Sequence, residues 1–320
     1  MQYRILGRTG HQVSEIGLGS WAMGGMWGPL GDGTSLQALQ RAMDRGVNFI
    51  DTALAYGEGH SESLIAKAFH ERGERVFVAT KVPPKNYEWP AKPDDPLTKI
   101  FPSDWIIRCT ERSLKNLQTD CLDLQQLHVW ADVWTDQSEW YETLVRLKER
   151  GKIRHFGVSV NDHEPDSVMR LVASGRIDTI QVIYNLFDQM PTEHLFPLCQ
   201  EKKVGVIVRC PFDEGSLTGR LEASLPFHRD DWRNHYFKGI RLKETLARVE
   251  KLKFLVQGER KSLAQAALKF CLSHPAVSTV IPGMRRPEHV EENCAASDGL
   301  PLSPEELQLI QAHAWPRNFY

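Results

Sequence analysis

Short apolar segments alternate with longer amphipathic segments along the whole chain, and this alternation limits the possible folds more than any other feature of the sequence. Short apolar runs are typical of buried strands, whereas the longer segments between them have helical spacing. Eight apolar runs occur, at 15–19, 48–51, 76–81, 122–128, 155–159, 177–184, 204–209 and 279–281. The pattern predicts an α/β fold of parallel strands connected by helices, because a buried parallel sheet needs helices on its faces.

The predicted helices lie between the apolar runs. They span 35–45, 60–70, 103–117, 137–149, 164–174, 193–201, 262–273 and 287–296. Ser103, Ser262 and Ser303 each precede an amphipathic segment, where a serine side chain can cap a helix. Eight strand–helix repeats predict a closed (β/α)8 TIM barrel that occupies the whole chain, 1–320, as one domain, since closure removes exposed strand edges. An open doubly wound sheet is the alternative.

Three segments interrupt the repeats. Residues 3–13 are predicted to form a hairpin before the first barrel strand, because Gly7 and Gly10 mark a turn within them. The segment 83–102 contains six prolines and is expected to be an irregular loop after the third strand. A long insertion at 211–237 follows the seventh strand and contains several aromatic residues. In a barrel, loops that follow strands lie on the face where active sites are built.

The balance of charge gives no support to a protein that binds polyanions. The chain has 39 Lys and Arg residues against 41 Asp and Glu residues, a formal net charge of −2, so neither nucleic acid nor a membrane surface is an expected partner. The N-terminal sequence lacks the apolar region of a signal peptide, and no run approaches the roughly 18 apolar residues that a membrane span needs. We therefore expect a cytoplasmic protein. Its six cysteines include no C-x-x-C pair, which favours reduced thiols over disulfides or a zinc site.

Several catalytic motifs are absent from the sequence. It contains no G-x-G-x-x-G dinucleotide fingerprint, no P-loop, no G-x-S-x-G elbow and no H-E-x-x-H pair. Kinase, serine esterase and zinc hydrolase chemistry are therefore disfavoured, and no metal site is predicted.

Ionisable residues stand where three successive apolar runs end. Asp51 closes the second run, Lys81 the third and His128 the fourth. Polar residues at the carboxyl ends of barrel strands are typical of catalytic sites. Each one alone has a structural alternative: a helix cap for Asp51, a solvated loop charge for Lys81 and a hydrogen-bonded core residue for His128.

Together with Tyr56, five positions after Asp51, these residues resemble the aldo-keto reductase superfamily over nearly the whole chain. The run 211–219 is similar to the bacterial-type branch. The resemblance rests on Asn48-Phe49-Ile50-Asp51-Thr52-Ala53 with Tyr56-Gly57, Thr80-Lys81, Leu127-His128, Gly157-Val158-Ser159, Gln181-Val182 with Tyr184-Asn185, and Val280-Ile281-Pro282-Gly283. It implies NADPH-dependent reduction of an aldehyde or ketone on a (β/α)8 barrel that binds its cofactor without a Rossmann domain.

The chemistry of carbonyl reduction suits these four side chains. Hydride addition leaves negative charge on the carbonyl oxygen, which needs a proton donor and hydrogen bonds. Tyr56 is the expected general acid, and Lys81 is expected to lower the pKa of its phenol. Asp51 would keep Lys81 protonated and oriented, and a neutral His128 would orient the substrate.

The resemblance also implies a set of cofactor contacts. Arg209 stands at the nicotinamide stacking position, with a salt-bridged strand-end arginine as the alternative. Asn161 departs from the family pattern, in which Asn directly follows the Ser, because Val160 intervenes. The nicotinamide carboxamide is expected to contact Ser159, Asn161 and Gln181, and the adenine to contact His289, Glu292 and Asn293. The expected pyrophosphate contacts are Gly215, Ser216, Leu217 and Gly219, for which a surface turn is the alternative, and the expected 2′-phosphate contacts are Gly283, Met284, Arg285 and Arg286, for which a solvated charge cluster is the alternative. Further cofactor contacts are expected at Ser20, Trp21, Asp51 and Pro211.

The substrate is expected to be a small carbonyl compound in an aromatic pocket, and the 211–238 region is a candidate lid. The residues available for such a pocket are Trp21, Trp27, Tyr87, Trp89, Trp130 and Trp134, with a role as packing anchors the alternative for several of them. A second hypothesis is a cofactor-binding regulatory subunit, because the family includes potassium-channel β subunits. For the enzyme we expect a monomer or a weak oligomer.

Overall fold

A parallel barrel of eight strands forms the centre of the protein. The computed structural model describes residues 1–25, 27–28, 30–224 and 227–320. After a two-stranded hairpin, β1 (Tyr3–Ile5) and β2 (Gln12–Ser14), the barrel strands follow in chain order as β3 (Leu18–Gly19), β4 (Phe49–Asp51), β5 (Phe77–Val82), β6 (Leu122–Leu127), β7 (Ile153–Ser159), β8 (Thr179–Ile183), β9 (Gly205–Arg209) and β10 (Val277–Val280). Each strand is hydrogen-bonded in parallel to the next one along the chain.

Hydrogen bonds between the first and last strands close the barrel. The backbone N–H of Gly17 donates to the carbonyl of Val280 at 2.8 Å, and that of Gly19 donates to Pro282 at 2.9 Å. Gly19 also forms a parallel bridge with Gly283. The predicted (β/α)8 barrel is therefore confirmed over the open sheet.

The helices lie outside the strands. They are α1 (Asp32–Asp44), α2 (His60–Arg72), α3 (Leu97–Ile100), α4 (Ser103–Asn116), α5 (Glu139–Glu149), α6 (Met169–Ser174), α7 (Leu195–Lys202), α8 (Arg233–Tyr236), α9 (Arg241–Glu250), α10 (Leu263–Ser273), α11 (Pro287–Cys294) and α12 (Pro304–Gln311). Every predicted helix is present, although the one expected at 164–174 begins as a 3-10 turn. The sequence analysis missed α3, α8 and α9, which lie in the proline-rich loop and after β9.

Two of the three predicted serine caps are confirmed. Ser262 accepts a hydrogen bond from the N–H of Gln265, and Ser303 forms a reciprocal capping box with Glu306. The prediction for Ser103 is wrong, because Pro102 occupies the N-cap position of α4 and no side-chain hydrogen bond caps this helix. The Ser103 hydroxyl instead contacts Glu139 and Thr143 of α5.

The predicted N-terminal hairpin closes the amino end of the barrel. Leu6 and Val13, both fully buried, pack with Phe49, Leu124 and other residues that point into the barrel interior. A Cβ on Gly205 would lie 2.8 Å from the Leu6 side chain, so only glycine allows this approach. A substrate pocket can therefore open only at the opposite end, where the post-strand loops lie.

Two tryptophans expected in the pocket belong to the core. Trp130 and Trp134 are fully buried and form a cluster with Trp140, with ring centroids 5.7 and 5.0 Å from that of Trp130. Their edge-to-face packing is typical of buried aromatic residues, and the prediction that they line the pocket is wrong.

The six cysteines are all unpaired thiols. No helix among the described residues has the length and apolar character that a membrane crossing requires.

Candidate active site

Asp51 and Lys81 form a buried ion pair at the carboxyl ends of adjacent strands. Asp51 ends β4, and Lys81 lies two residues beyond its register partner on β5. The Lys81 ammonium donates to Asp51 Oδ2 at 2.6 Å and to the backbone carbonyl of Thr52 at 2.8 Å. Gln181 of β8 donates to the other carboxylate oxygen at 2.7 Å. Each charge therefore has a polar partner, which burial of a charge requires.

Tyr56 follows the same strand and reaches the ion pair from above. The Lys81 ammonium donates to Tyr56 Oη at 3.3 Å. The turn that carries Tyr56 packs tightly on Gly24, where a Cβ would lie 2.7 Å from the Tyr56 carbonyl carbon. Glycine at position 24 thus allows Tyr56 to take its place over Lys81.

His128 completes the group directly after β6. Its ring lies edge-on to that of Tyr56, with centroids 5.9 Å apart, and Trp89 covers it at 5.6 Å. Its buried Nδ1 has no hydrogen-bond partner among the described residues. The structure therefore brings together the four residues predicted from the sequence, Asp51, Tyr56, Lys81 and His128, which we call the tetrad.

Burial dominates the ionisation of the tetrad. It raises the pKa of Tyr56 well above the usual value for a phenol, and the charge of Asp51 adds to this effect. The pKa of Tyr56 is therefore not lowered as the sequence analysis expected, because burial, with the charge of Asp51, outweighs any stabilisation of the phenolate by Lys81. Burial also raises the pKa of Asp51 and lowers that of Lys81, and each partner opposes the effect on the other.

The pKa of His128 lies well below its usual value, through burial first and then through the charges of Lys81 and Arg209. The ring is therefore neutral near pH 7, as the sequence analysis expected. A neutral imidazole has one N–H donor and one acceptor nitrogen.

The predicted carboxamide residues differ in their availability. Ser159 ends β7 beside Gln181, its register partner on β8, and both are buried. Asn161 accepts from the backbone N–H groups of Ala91 at 3.3 Å and Trp130 at 3.4 Å. Its amide nitrogen donates to the Ala91 carbonyl at 3.0 Å. Asn161 therefore braces two loops, and its contact with a cofactor stays a prediction.

Ser20 is also used within the protein. Its hydroxyl donates to the backbone carbonyl of Asp51 at 2.8 Å and accepts from Ser61 at 2.7 Å. Trp21 is only half-buried and lies edge-on to Trp27 and to Trp232, with centroids 6.1 and 5.6 Å away. Ser20 thus joins two strand ends, whereas Trp21 contributes to an aromatic wall.

Arg209 ends β9 in an ion pair, which was the alternative in the sequence analysis, but its partner, Asp162, was not predicted. Its Nη2 atom lies 2.5 Å from Asp162 Oδ1 and donates to the Val160 carbonyl at 2.9 Å. Burial acts to lower the pKa of Arg209, but the charges of Asp162 and other anionic groups outweigh it and raise the pKa. Asp162 comes three residues after Ser159, and only this position after β7 hinted at a role.

The predicted pyrophosphate loop is a tight turn near two arginines. Gly215 and Gly219 have φ of 94° and 73°, in the left-handed region that favours glycine, and they flank a 3-10 turn. Pro211, Ser216 and Leu217 are buried. A Cβ on Gly215 would lie 3.6 Å from Nη1 of Arg233, a residue that the sequence analysis missed. The turn therefore lies against a guanidinium.

Arg285 and Arg233 come together near this turn. Arg285 donates to the backbone carbonyls of Trp27 at 2.8 Å and Gly28 at 3.2 Å. Arg233 stacks on the Trp27 ring, with its guanidinium carbon 4.3 Å from the centroid. Burial lowers the pKa of Arg285, and the charge of Arg233 lowers it further. Asp231 pairs with Arg233 at 2.6 Å, whereas the two hydrogen bonds of Arg285 go to backbone carbonyls. The pair of arginines therefore carries more positive charge than Asp231 balances, which favours an anionic ligand.

The predicted adenosine residues lie along α11 and beside a groove. Gly283 and the buried Met284 lead into the helix, and Arg286 is its N-cap residue. A groove of about 1330 Å³ is bordered by residues that include Gly219 and Glu292. His289 and Glu292 are half-buried, Asn293 is buried, and Glu292 forms an ion pair with Arg220 at 2.8 Å.

The end of the chain holds the insertion after β9 in place. Arg317 forms a buried ion pair with Asp213, whose carboxylate also accepts from Tyr236 and Ser216 at 2.7 Å each. Tyr320 donates to Glu214 at 2.5 Å. Burial and the charge of Asp213 raise the pKa of Glu214 to about 7, against the hydrogen bond from Tyr320. We call the insertion 211–237 and the segment 315–320 together the rim.

The chain is similar to proteins of one family. A sequence model described as the Aldo/keto reductase family matches residues 15–314. Aldo-keto reductase YhdN of Bacillus subtilis (strain 168) is 36% identical over 297 residues, which cover 91% of this chain and 87% of that protein. A probable voltage-gated potassium channel subunit beta of Oryza sativa subsp. japonica is 30% identical over 327 residues, with coverage of 98% and 96%. Among solved structures, an aldo/keto reductase from Klebsiella pneumoniae, crystallised in complex with NADP and acetate, has 26% sequence identity to this chain and a TM-score of 0.71. The match covers 99% of this chain and 98% of that one.

Proposed function

The chain belongs to the aldo/keto reductase family, and on that premise we propose that it reduces an aldehyde or a ketone to the alcohol with NADPH, using Tyr56 as the general acid. The observation that carries the proposal is the contact of Tyr56 with the buried Lys81–Asp51 pair, beside His128. Members of the family are oxidoreductases that use a nicotinamide cofactor. The choice of NADPH and the roles of individual residues are our inference.

The residues present fit a phosphorylated dinucleotide. Arg285 supplies positive charge near the glycine turn at 215–219, which Arg233, paired with Asp231, also adjoins. Arg286 stands at the start of α11, where the helix dipole also attracts an anion. These groups suit the pyrophosphate and the 2′-phosphate that distinguishes NADPH from NADH. Ser159 and Gln181 offer hydroxyl and amide groups for the carboxamide. When bound, the cofactor supplies the hydride that adds to the carbonyl carbon.

Tyr56 completes the reaction by giving its proton to the carbonyl oxygen. Because burial raises its pKa, Tyr56 is protonated near neutral pH and available as an acid. Loss of the proton leaves a phenolate, which the Lys81 ammonium at 3.3 Å stabilises. Asp51 holds that ammonium in place through the 2.6 Å contact. The neutral His128 donates one N–H to the same carbonyl oxygen and orients the substrate.

Aromatic side chains around the tetrad favour an apolar substrate. Trp89 packs edge-to-face with His128, and Trp21 packs edge-to-face with Trp232, with ring centroids 5.6 Å apart in both pairs. Trp89 is 41% exposed, so its ring still has surface that a ligand can cover. Such walls suit aryl and alkyl carbonyl compounds better than charged or heavily hydroxylated ones, because they offer few hydrogen-bond partners.

The proposal is tested by the oxidation of NADPH and NADH, measured in parallel with aromatic, aliphatic and dicarbonyl substrates. We expect turnover that prefers NADPH. Tyr56→Phe should lower the rate by about 10²–10⁴, or ~3–5 kcal/mol, and leave NADPH binding nearly unchanged. Tyr3→Phe, on the hairpin at the other end of the barrel, is the matched control. Undiminished turnover in Tyr56→Phe would contradict the role of Tyr56.

A cofactor-binding regulatory subunit is the second candidate, because the relative from Oryza sativa is described as a potassium channel subunit. That function requires NADPH binding with negligible turnover across the substrate panel. It also requires a stable oligomer, which size-exclusion chromatography with light scattering would detect. Both results together would favour the subunit over the reductase.

A further inference from the structure

The carboxyl end of β9 holds a charge pair of its own. The side chains of Arg209 and Asp162 are 18% and 15% exposed, and their atoms lie 2.5 Å apart. The same guanidinium nitrogen donates to the Val160 carbonyl at 2.9 Å. The Arg209 Nε atom is buried without a hydrogen-bond partner among the described residues. The guanidinium is therefore fixed from the side of the loop after β7, which leaves part of it free of polar contacts.

Arg209 lies two residues after Ile207, which packs in the barrel interior and is the register partner of Gln181. Alternate residues of a strand share a face, so Arg209 projects from the inner face of the barrel, beside the strand whose Gln181 donates to Asp51. The charge of Arg209 affects the pKa of each member of the tetrad: Asp51, Tyr56, Lys81 and His128. A reacting carbonyl group has to place its oxygen at Tyr56 and His128. The hydride donor then lies about 3–3.5 Å from the carbonyl carbon. The nicotinamide ring of the proposed function is therefore within the field of Arg209.

This position has an electrostatic consequence that depends on the redox state of the ring. The oxidised nicotinamide carries one positive charge, and the reduced ring carries none. In a water-poor pocket, a fixed guanidinium repels the oxidised ring and has little effect on the reduced one. Asp162 contacts Arg209 from the loop after β7, the strand next to β6, so its negative charge offsets part of this repulsion.

Resting on the proposed function, we propose that Arg209 makes this site select the reduced cofactor over the oxidised one, and that Asp162 sets the strength of that selection. NADPH should bind about tenfold more tightly than NADP+ for this reason. The oxidised cofactor formed in each turnover then leaves readily and inhibits weakly. Arg209 and Asp162 are thus specificity residues for the redox state of the cofactor and favour use of the site as a reductase.

The test is a pair of dissociation constants, for NADPH and for NADP+, measured by isothermal titration calorimetry on the full chain without substrate. Arg209→Gln should lower the ratio of the NADP+ to the NADPH constant by about fivefold to tenfold. Asp162→Asn should raise the same ratio at least threefold, because it removes the counter-charge. The charge-conserving Arg209→Lys should retain most of the selection. The double variant Arg209→Gln with Asp162→Asn should give a ratio between those of Arg209→Gln and the unmodified protein, because it removes both charges.

A role of the pair in bracing the loop alone gives a different result. In that case, Arg209→Gln and Asp162→Asn would weaken both cofactor forms by the same factor and leave the ratio within twofold of the unmodified protein. That outcome would overturn the inference while leaving the reductase proposal intact. Failure of the unmodified protein to bind either form would contradict the proposed function, and the inference with it.

Discussion

Asp51 and Lys81, in the tetrad, are 30 residues apart, whereas Asp213 and Arg317, at the rim, are 104 residues apart. Both are buried pairs of opposite charge, but they arise in different ways. The tetrad pair projects from the ends of neighbouring strands, whose register fixes the distance between them. The rim pair joins an irregular insertion to the end of the chain. The comparison teaches that sheet geometry positions the reacting groups, while side-chain contacts across long sequence separations shape the surface above them.

The largest expected effect is in the tetrad. Lys81→Met leaves the buried Asp51 carboxylate without its cation and should lower the free energy of unfolding by about 3–5 kcal/mol. Urea unfolding measures this change. Lys261→Met, at a lysine that is 71% exposed, is the matched control and should change stability by less than about 0.5 kcal/mol. A loss below about 1 kcal/mol in Lys81→Met would contradict the tight pairing that distinguishes the tetrad from the rim.

The two regions also differ in how well the sequence predicts them. Asp51, Lys81 and His128 could be found because each interrupts an apolar run, and parallel strands bring their carboxyl ends to one edge. The closed barrel followed from the alternation of apolar and amphipathic segments, and the hairpin from the turn that Gly7 and Gly10 mark. The structure corrects the prediction for Trp130 and Trp134, where the sequence analysis had to decide whether aromatic side chains after a strand line the substrate pocket or pack in the core. Composition gives no basis for that choice.

The rim contacts lacked any local signal. Arg317 and Tyr320 are ordinary residues near the end of the sequence, and nothing in their neighbourhood indicates contact with Asp213 and Glu214. A partner more than a hundred residues away leaves no periodic pattern. Asp162 and Arg209 are 47 residues apart, and no pattern in the sequence links them, so the pair was missed although both residues follow strands that the sequence analysis had identified.

The next effect tests whether the rim, unlike the tetrad, contains a carboxyl group with too little compensating charge. Burial and the charge of Asp213 raise the pKa of Glu214 from 4.5 to about 7. Between these values the folded protein binds the proton more tightly than the unfolded chain does, so stability falls as pH rises from about 4.5 to 7. The total loss from this group is about 3 kcal/mol.

The difference between the unmodified protein and Glu214→Gln isolates that contribution. Urea unfolding at several pH values between 4.5 and 8 should give a steeper decline with pH for the unmodified protein than for Glu214→Gln. Glu222→Gln, at an exposed position of the same insertion, is the control and should keep the steep decline. Parallel pH profiles for the unmodified protein and Glu214→Gln would show that Glu214 titrates as an ordinary carboxyl group.

The smallest effect comes from removing the cation at the rim. Arg317→Met leaves the Asp213 carboxylate with two neutral donors, Tyr236 and Ser216, each at 2.7 Å. These donors should limit the loss of stability to about 2 kcal/mol, less than for Lys81→Met, because hydrogen bonds still satisfy both carboxylate oxygens. Urea unfolding measures the loss, and Arg229→Met, at an arginine that is 88% exposed, is the matched control.

The effect of Arg317→Met on cofactor binding sharpens the comparison further. Because Asp213 and Ser216 belong to the turn proposed to hold the pyrophosphate, loosening the ion pair should weaken NADPH binding while the pKa that governs turnover by Tyr56 stays the same. A double variant, Arg317→Met with Asp213→Asn, removes the unpaired charge and should recover part of the lost stability. If Arg317→Met destabilises the protein as much as Lys81→Met, or if the double variant recovers nothing, the rim is held as rigidly as the tetrad and the contrast between the two regions fails.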